Sequence, residues 1–486
     1  MSSSGWLRNK LIELWSIDTR SLALFRIALG LVLLADMAGR LIDLEGLYGA
    51  EGVQPVAVVR QHLQDHYPST WSLHLVSDSS AYQVSLLALA AGLAIALIAG
   101  WRTELAAFGS WVLLASLHAR SPLVTNGGDV LLRMMLLWAL FLPLASRWSR
   151  DARRTAAGHS PATVCSVASV AALLQVCLMY EWTGLFKWND VWLSGEALDR
   201  VLSLPLYATA AGQALRAYPQ ALRVMTWLAL GLELLGPWLL FFPWKTTWVR
   251  GLTVLVLAGM HGGIELTMHV DLFSVACWTA LTLFVPSGFW DWLGGWARPA
   301  ADPPAAPPAP LPARRTDTQR RRLLATTCGC LLTTVVLFNL ADLALRWNLW
   351  SGPIPAGMHR VVQLAALDQR WDMFRAGGGP DSRLLAFAEL VNGTELDLLR
   401  NAPPSEDLGE LDPAFPPRRW ALFVTELRRE ANAAFRLPTA QFLIRRWDRQ
   451  HPPEQRVRRL VLLLLREPVG TERGDKAVIY LELEVR

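Results

Sequence analysis

Lys187 has the side chain in this sequence best placed to do chemistry. It lies in the segment YEWTGLFKWNDVWLSG (180–195), directly after a long apolar run and among Trp182, Trp188 and Trp192. A lysine at the end of a membrane-grade segment has two interpretations. Its ammonium group can reach the lipid surface as an anchor, next to tryptophans that favour the same interface. Alternatively, an apolar pocket favours the neutral amine, which can then act as a base.

Three further polar residues, His118, Asn126 and His261, lie at or inside apolar segments. Taken singly, each has a plain structural explanation, because a histidine on a helix more often packs with a hydrogen bond than reacts. The predicted topology, however, brings them and Lys187 to one face of the membrane. We therefore expect four segments to converge on one outward-facing cavity, with Lys187 oriented by His118 or His261.

The apolar runs predict the elements that must position these residues. Runs of on the order of 20 residues recur along the chain and favour membrane-spanning helices. We predict nine of them, at about residues 21–41, 83–100, 105–118, 130–145, 162–181, 222–242, 252–267, 272–286 and 323–345.

The distribution of basic residues predicts the orientation. With nine spans every basic cluster falls on one side, which the positive-inside rule assigns to the cytoplasm. We expect a cytoplasmic N-terminus and an extracytoplasmic C-terminal domain. The clusters are Arg8, Lys10 and Arg20; Arg102; Arg147, Arg150, Arg153 and Arg154; Lys245 and Arg250; and Arg314, Arg315, Arg320, Arg321 and Arg322.

Composition supports a polytopic membrane protein and argues against a soluble enzyme. The chain of 486 residues is 52% hydrophobic and 18% charged, with a mean hydropathy of +0.27 and 23 tryptophans. No basic run interleaves with aromatic residues, so we expect no nucleic-acid partner. The five cysteines have no metal-ligand spacing with histidine, so we expect no metal site.

Other ionisable residues at membrane depth predict pairing between helices. Asp36 and Arg40 are one helical turn apart and are expected to form an ion pair. We give the same structural interpretation to the remaining charged residues in the spans, which are Arg26, Arg133, Glu233 and Glu265.

The chain divides into four parts. We predict a transmembrane domain at 1–296, a Pro/Ala-rich cytosolic linker at 297–321, a last transmembrane helix at 322–347 and an extracytoplasmic α+β domain at 348–486. Within the last part, Asn392-Gly393 lies between two strand-like runs and predicts a hairpin. The fold class is thus a mostly α-helical membrane protein with a small C-terminal α+β domain.

Two segments carry a family resemblance. LALFRIALGLVLLADMAGRLIDLEGLYGAEGVQP (22–55) resembles the opening motif of the horizontally transferred transmembrane (HTTM) domain family, which includes the vitamin K-dependent gamma-glutamyl carboxylases. TGLFKWNDVWLSGEAL (183–198) is similar to the carboxylase segment in which a lysine is followed by a tryptophan and a glycine. Lys187, Trp192 and Gly195 match that pattern.

Four shorter segments extend the resemblance. HGGIELTMHVDLFS (261–274) is similar to the histidine helix of the family, and LHARSPLVTNGGDVLL (117–132) to the segment with its other active-site histidine. RWDMF (370–374) and RRW (418–420) resemble short extracytoplasmic motifs of the carboxylases.

The resemblance implies an activity. In the carboxylases the lysine deprotonates vitamin K hydroquinone, O2 adds, and the oxygenated quinone removes a proton from glutamate, to which CO2 then adds. It therefore implies Lys187, His118 and His261 as catalytic residues. It also implies reduced vitamin K or a menaquinone-type hydroquinone as cofactor, bound by Asn126, Trp192, Trp371 and Asp372.

Three hypotheses follow. The first is a membrane enzyme of the carbon–carbon lyase class, which oxygenates a quinone through Lys187 and carboxylates glutamate, in an extracytoplasmic peptide or protein, or another acid. The second is a non-enzymatic membrane protein that binds a lipid or quinone, with an outer domain that binds a partner. The third, a transporter, lacks the paired broken helices of that class. The high Ala, Leu and Arg content and the absence of a leader favour a bacterial inner-membrane protein.

Overall fold

The computed structural model describes residues 3–154, 161–204, 207–297, 315–375, 382–403, 417–466 and 476–484. Most of these residues are helical. The helices are α1 Ser3–Trp15, α2 Thr19–Ile42, α3 Val56–His66, α4 Ser80–Ala99, α5 Thr103–Arg120, α6 Gly127–Ala139, α7 Arg150–Arg154, α8 Val167–Phe186, α9 Asp190–Leu193, α10 Ala197–Leu202, α11 Ala210–Leu215, α12 Pro219–Leu240, α13 Thr246–Thr267, α14 Phe273–Leu281, α15 Ser287–Ala297, α16 Arg315–Arg346, α17 Ala356–Leu364, α18 Pro417–Leu427 and α19 Arg436–Gln450. The strands are β1 Ile17–Asp18, β2 Thr163–Val164, β3 Ser382–Leu390, β4 Glu395–Asp397, β5 Val457–Arg466 and β6 Lys476–Glu484.

Six helices in the described part of the chain are long and apolar enough to cross a membrane, namely α2, α4, α8, α12, α13 and α16. A seventh span results if α14, its 3-10 turn and α15 are counted together, although this pair is bent by 84°. The polytopic helical fold is therefore confirmed, whereas the predicted number of nine spans is not.

Two predicted spans, which correspond to α5 and α6, are not among these helices, and each has a physical reason. α6 has 13 residues, about 20 Å of helix against about 30 Å of hydrocarbon. It is buried along its whole length, so its apolar residues contact protein on every side. α5 carries Glu104 in its first turn and Arg120 in its last, which shortens its apolar part. An apolar run alone does not distinguish a buried helix from a lipid-facing one.

The helical segments alternate in direction between two ends of the bundle. At one end, here named the Thr19 end, Thr19 N–H donates to Ala162 O (2.9 Å) and Ser21 Oγ donates to Val285 O (2.9 Å). At the opposite end, named the Lys187 end, lie the C-termini of α2, α5, α8, α13 and α16. All four polar residues singled out from the sequence belong to the Lys187 end or to the last two turns that reach it.

A buried arginine binds backbone carbonyls at the end of α4, which lies at the Thr19 end. Arg26 is 0% exposed, and its Nη1 donates to Leu97 O and Ile98 O at 2.6 Å each, while Nη2 donates to Trp148 O at 2.7 Å. The last carbonyls of α4, which have no partner within the helix, are thereby satisfied. Gly100 follows with φ +62°, the left-handed conformation typical of a residue that ends a helix.

The C-terminal region contains an antiparallel sheet of order β4-β3-β5-β6. The predicted hairpin is confirmed, because β3 and β4 pair antiparallel and Gly393 between them has φ +81°. This region packs against the Lys187 end of the bundle. Trp420 of α18 is buried and its Nε1 donates to Asp43 at 3.1 Å, just beyond the end of α2.

The bounds of two elements differ from the prediction in places that matter for the site. α8 begins later than residue 162, because Ser166 caps it through reciprocal hydrogen bonds with Ser169 (3.2 and 2.8 Å). It continues to Phe186, which makes Lys187 its C-terminal cap. α16 begins at Arg315, inside the predicted linker; residues 298–314 of that linker lie outside the described residues.

Candidate active site

Lys187 is held inside the protein at the end of α8. Its backbone N–H donates to Thr183 O and Gly184 O (3.2 and 3.1 Å), and the residue is only 5% exposed. Gly184 allows α12 to approach closely, because a Cβ at this position would lie 2.8 Å from Leu234 Cδ2. The close contact between α8 and α12 brings the acidic residue that precedes Leu234 to the lysine.

That residue is Glu233, which is the direct partner of Lys187. Lys187 Nζ donates to Glu233 Oε1 at 2.5 Å, and Glu233 is 6% exposed. The same ammonium group lies 4.6 Å from the ring centroid of Trp192, a cation–π contact. Trp192 is itself buried and donates from Nε1 to Phe374 O at 2.9 Å. Lys187 therefore lies between a carboxylate and an indole face.

His261 completes this first polar group. Its Nε2 is 2.8 Å from the hydroxyl of Tyr180, two helical turns before Lys187 on α8. The imidazole is 1% exposed, interacts electrostatically with Lys187 and packs edge-on against Phe273 with ring centroids 5.5 Å apart. Among the described residues, His261 Nδ1 and Glu233 Oε2 are buried and have no hydrogen-bond partner. Two polar atoms of this group thus have unused hydrogen-bonding capacity.

A second polar group lies next to the first. Arg40 pairs with Asp36 (2.9 Å), which confirms the predicted ion pair, and also with Asp129 on α6 (2.9 Å). Arg419 of α18 adds contacts to Asp36 (2.5 Å), Asp129 (3.4 Å) and Asp271 (3.1 Å). We name these five residues the Asp–Arg cluster. They show that the C-terminal region completes an ionic network begun by helices α2 and α6 and by the loop between α13 and α14.

The Asp–Arg cluster holds more carboxylates than arginines, and this affects Asp271. Asp271 lies between α13 and α14 and is mostly buried, with a backbone φ of +56°. Burial raises the pKa of its carboxyl group; Arg419 opposes this rise, whereas the charges of Asp129 and Asp36 reinforce it. The pKa of Arg419 is raised by the surrounding carboxylates, in spite of its burial and of neighbouring Arg40.

The structure separates the predicted catalytic residues. His118 Nε2 lies 3.5 Å from Asp129 Oδ1, so His118 belongs beside the Asp–Arg cluster. Asn126 caps α6, with its side chain accepting from Asp129 N–H at 3.0 Å. Lys187 and His261 form the other group. Phe273 lies between the two, since its ring contacts His261 and its backbone lies against Gly128 at the start of α6.

The RWDMF segment (370–374) packs into the bundle and ends beside the Lys187 group. Trp371 is 1% exposed and donates to Gln369 Oε1 at 3.1 Å. Asp372 pairs with Arg346 at 2.8 Å; burial works against ionisation, but the hydrogen bond and charge of Arg346 hold the pKa of Asp372 below its ordinary value. Met373 packs on Gly127, where any Cβ would meet its sulfur. The next residue is Phe374, whose carbonyl accepts a hydrogen bond from Trp192, so the segment ends beside the tryptophan that contacts Lys187.

Sequence reasoning missed three residues of these groups. Glu233 was expected to pair only structurally, and Tyr180 and Arg419 were not singled out. For Tyr180 a signal existed, because it lies seven residues before Lys187 and therefore on the same helix face. For Glu233 the signal was its position inside an apolar run, where an acid requires a partner.

The comparison with protein families identifies the membrane part. The model of the HTTM domain matches residues 15–292. The chain belongs to the HTTM domain family. This is a family of membrane domains related to vitamin K-dependent carboxylase, and the match covers Lys187 and helices α8, α12 and α13. No curated protein and no solved structure matches the chain.

Proposed function

We propose that this HTTM protein is a membrane enzyme that oxygenates a reduced quinone of the vitamin K or menaquinone type, with Lys187 as the base. The coupled half-reaction is carboxylation of glutamate or of another acid by CO2. The observation that carries the proposal is the buried amine of Lys187, in contact with Glu233 and Trp192, in a group where two buried polar atoms have no partner among the described residues.

The contrast with Lys245 supports a base at position 187. Lys245 lies at the Thr19 end, 4.9 Å from the ring of Trp244, and both residues are exposed. This is the geometry of an interfacial anchor. Lys187 also faces a tryptophan, but it is 5% exposed and its ammonium group meets a carboxylate instead of water. A buried lysine can give up its proton at neutral pH, which an arginine cannot do.

The residues present fit a phenolic ligand. A hydroquinone offers an aromatic ring and two hydroxyl groups. Glu233 Oε2 and His261 Nδ1 are the buried atoms that can bind such hydroxyls, and Trp192 and Phe273 provide aromatic walls. The reduced quinone, when bound, supplies the electrons for the reaction with O2. Lys187 Nζ accepts the hydroxyl proton, and His261, held by Tyr180, orients the ring.

The other predicted binding residues have supporting roles in this proposal. Trp371 and Asp372 fix the RWDMF segment against the bundle, since Trp371 is buried and Asp372 is paired with Arg346. Asn126 and His118 lie beside the Asp–Arg cluster, which Phe273 separates from the Lys187 group. We place the acceptor acid at the Lys187 end, where the C-terminal region packs.

The experiment measures conversion of hydroquinone to epoxide by the full chain in lipid nanodiscs under air. Wild type is compared with Lys187→Ala, Lys187→Arg and, as a matched control, Lys245→Ala. We expect conversion by wild type and Lys245→Ala and at least a hundredfold loss in both Lys187 variants, because the arginine keeps the charge without acting as a base. Full activity of Lys187→Arg would reduce Lys187 to a structural cation.

A second candidate function is non-enzymatic binding of a lipid or quinone, with a partner bound by the C-terminal region. It is favoured by the Lys187–Glu233 contact itself, because two buried charges that satisfy each other are typical of a structural pair between helices. Saturable quenching of tryptophan fluorescence by a quinone, without turnover of any reduced quinone, would support this alternative.

The proposed orientation is an inner-membrane protein with the Lys187 end outside. The basic residues Arg20, Arg102 and Lys245 all lie at the Thr19 end, as expected for the cytoplasmic side. Cys165 is exposed at the same end. A membrane-impermeant thiol reagent added to intact cells should leave Cys165 unlabelled and should label it after the cells are opened. Labelling in intact cells would reverse the orientation.

A further inference from the structure

We infer that Glu233 is the proton partner of Lys187, so that the two side chains work as one acid–base pair and not as a lysine with a fixed counter-ion. The inference rests on the proposed function for its catalytic meaning. Its structural content, that Glu233 controls where the proton of Lys187 resides, can be tested without turnover.

Among the described residues, the acceptor in direct contact with the ammonium group of Lys187 is Glu233. The groups described around Nζ are the carboxylate of Glu233 at 2.5 Å and the ring of Trp192, whose centroid is 4.6 Å away. An indole ring attracts a cation but does not accept its proton. Both members of the pair are more than nine-tenths buried, so bulk water does not compete for the proton as it would at a surface.

The carboxylate has capacity beyond the contact with the lysine. Oε1 accepts from Lys187, whereas Oε2 is buried and has no partner among the described residues. A surface ion pair would meet water at that atom. Here Oε2 can hold the transferred proton or bind the hydroxyl of a ligand. Pro237 on the next turn of α12 lacks the N–H that would bind the carbonyl of Glu233, so α12 has one helical hydrogen bond fewer at this residue.

The proton balance requires such a partner. For Lys187 to act as a base, one proton must first leave its ammonium group, and transfer to Glu233 converts ammonium and carboxylate into amine and carboxylic acid. The amine then takes the proton of a substrate hydroxyl, whose O–H electron pair remains on the oxygen. The products are ammonium, carboxylic acid and one oxyanion. The enclosed site is neutral before and after, which avoids a net charge in a medium of low polarity.

The experiment follows the protonation state of Lys187 by NMR. The chain has four lysines, Lys10, Lys187, Lys245 and Lys476, so 15N-lysine labelling of the full chain in nanodiscs gives four side-chain signals. Loss of one signal in Lys187→Arg assigns Lys187. The pH at which this signal changes from ammonium to amine is then measured in wild type and in Glu233 variants.

We expect Glu233→Gln to lower the transition pH of Lys187 by roughly one to three units, because a nearby opposite charge stabilises the ammonium form by this amount. Glu233→Asp, which keeps a carboxylate, should give a smaller shift and serves as the second variant should Glu233→Gln fail to fold. Glu265→Gln on α13 is the matched control, and the Lys245 signal is an internal reference; neither should change. An unchanged Lys187 transition in folded Glu233→Gln overturns the inference.

Turnover distinguishes this inference from the proposed function. If wild type oxygenates quinone, Glu233→Gln should lower kcat at least tenfold and change its pH profile, and Glu233→Asp should restore part of both. Unchanged kcat and pH profile in Glu233→Gln would overturn the catalytic role of Glu233. If wild type turns over no quinone, the proposed function fails, while the NMR titration still decides whether Glu233 sets the pH at which Lys187 loses its proton.

Discussion

Arg419 provides a quantitative test of how the C-terminal region is joined to the membrane bundle. It is 5% exposed and contacts Asp36, Asp129 and Asp271. Arg419→Met keeps much of the apolar volume but leaves three buried carboxylates with Arg40 alone. Removing one member of a buried ionic network typically costs about 3–5 kcal/mol, because an uncompensated charge remains.

The assay is the apparent melting temperature in detergent at a fixed scan rate. At about 2 °C per kcal/mol for a long chain, Arg419→Met should melt roughly 6–10 °C below wild type. The control is Arg429→Met. Arg429 pairs with Glu426, and the side chain of Arg429 is 52% exposed. An exposed pair contributes about 0–1 kcal/mol, so this variant should melt within about 2 °C of wild type.

A double substitution tests the mechanism behind the loss. Asp271→Asn added to Arg419→Met removes one of the unpaired carboxylates and should recover part of the stability, with a non-additive effect. The Asp–Arg cluster would not join the two parts of the protein as described if Arg419→Met melted at the same temperature as Arg429→Met. The same would follow if the effects of Arg419→Met and Asp271→Asn were strictly additive.

Three further predictions concern pH and backbone geometry. Since burial raises the pKa of Asp271 in the folded state, wild type loses stability as pH rises above the ordinary value of 3.8. The melting temperature of Asp271→Asn should therefore rise relative to that of wild type as the pH is raised above 3.8. Burial lowers the pKa of His74 from 6.5 to about 4, against a hydrogen bond to Gln83. Between pH 6.5 and 4 the unfolded chain therefore binds a proton at His74 that the folded protein does not bind. The free energy of unfolding should fall by up to about 3 kcal/mol over this range, and this fall should be smaller in His74→Gln. Gly100→Ala should lower the melting temperature by several degrees in the same assay, because Gly100 has φ +62° and a Cβ there would lie 2.2 Å from Ser149 Cβ.

The sequence predicted the helices but not which of them face lipid. Apolar runs and the end of the run before Lys187 were enough to place a lysine at one end of the bundle. The run that became α6 has the same composition as a span, yet this helix is buried on all sides. Burial by neighbouring protein depends on tertiary packing, which the periodicity of a single segment does not contain.

The sequence identified several polar residues of the candidate site but predicted only in part which of them lie together. His261 does lie with Lys187 and Trp192, but His118 lies beside the Asp–Arg cluster. The partner of Lys187 was not predicted, because the contact between α8 and α12 is set by their close approach at Gly184. Arg419 is nearly 300 residues from Asp129 in sequence. Their contact depends on how the C-terminal region packs on the bundle, and no local sequence pattern predicts it.

Incorporation of oxygen from 18O2 into the quinone product tests directly whether Lys187 is the base of a quinone oxygenase. Purified wild-type protein in nanodiscs is given reduced quinone under 18O2, in parallel with Lys187→Arg and Lys245→Ala, and the product is analysed by mass spectrometry. We expect epoxide that carries one 18O atom from wild type and Lys245→Ala, and none above background from Lys187→Arg. Labelled epoxide from Lys187→Arg at the wild-type rate, or its absence from wild type with each reduced quinone, would contradict the assignment of Lys187 as the base of a quinone oxygenase.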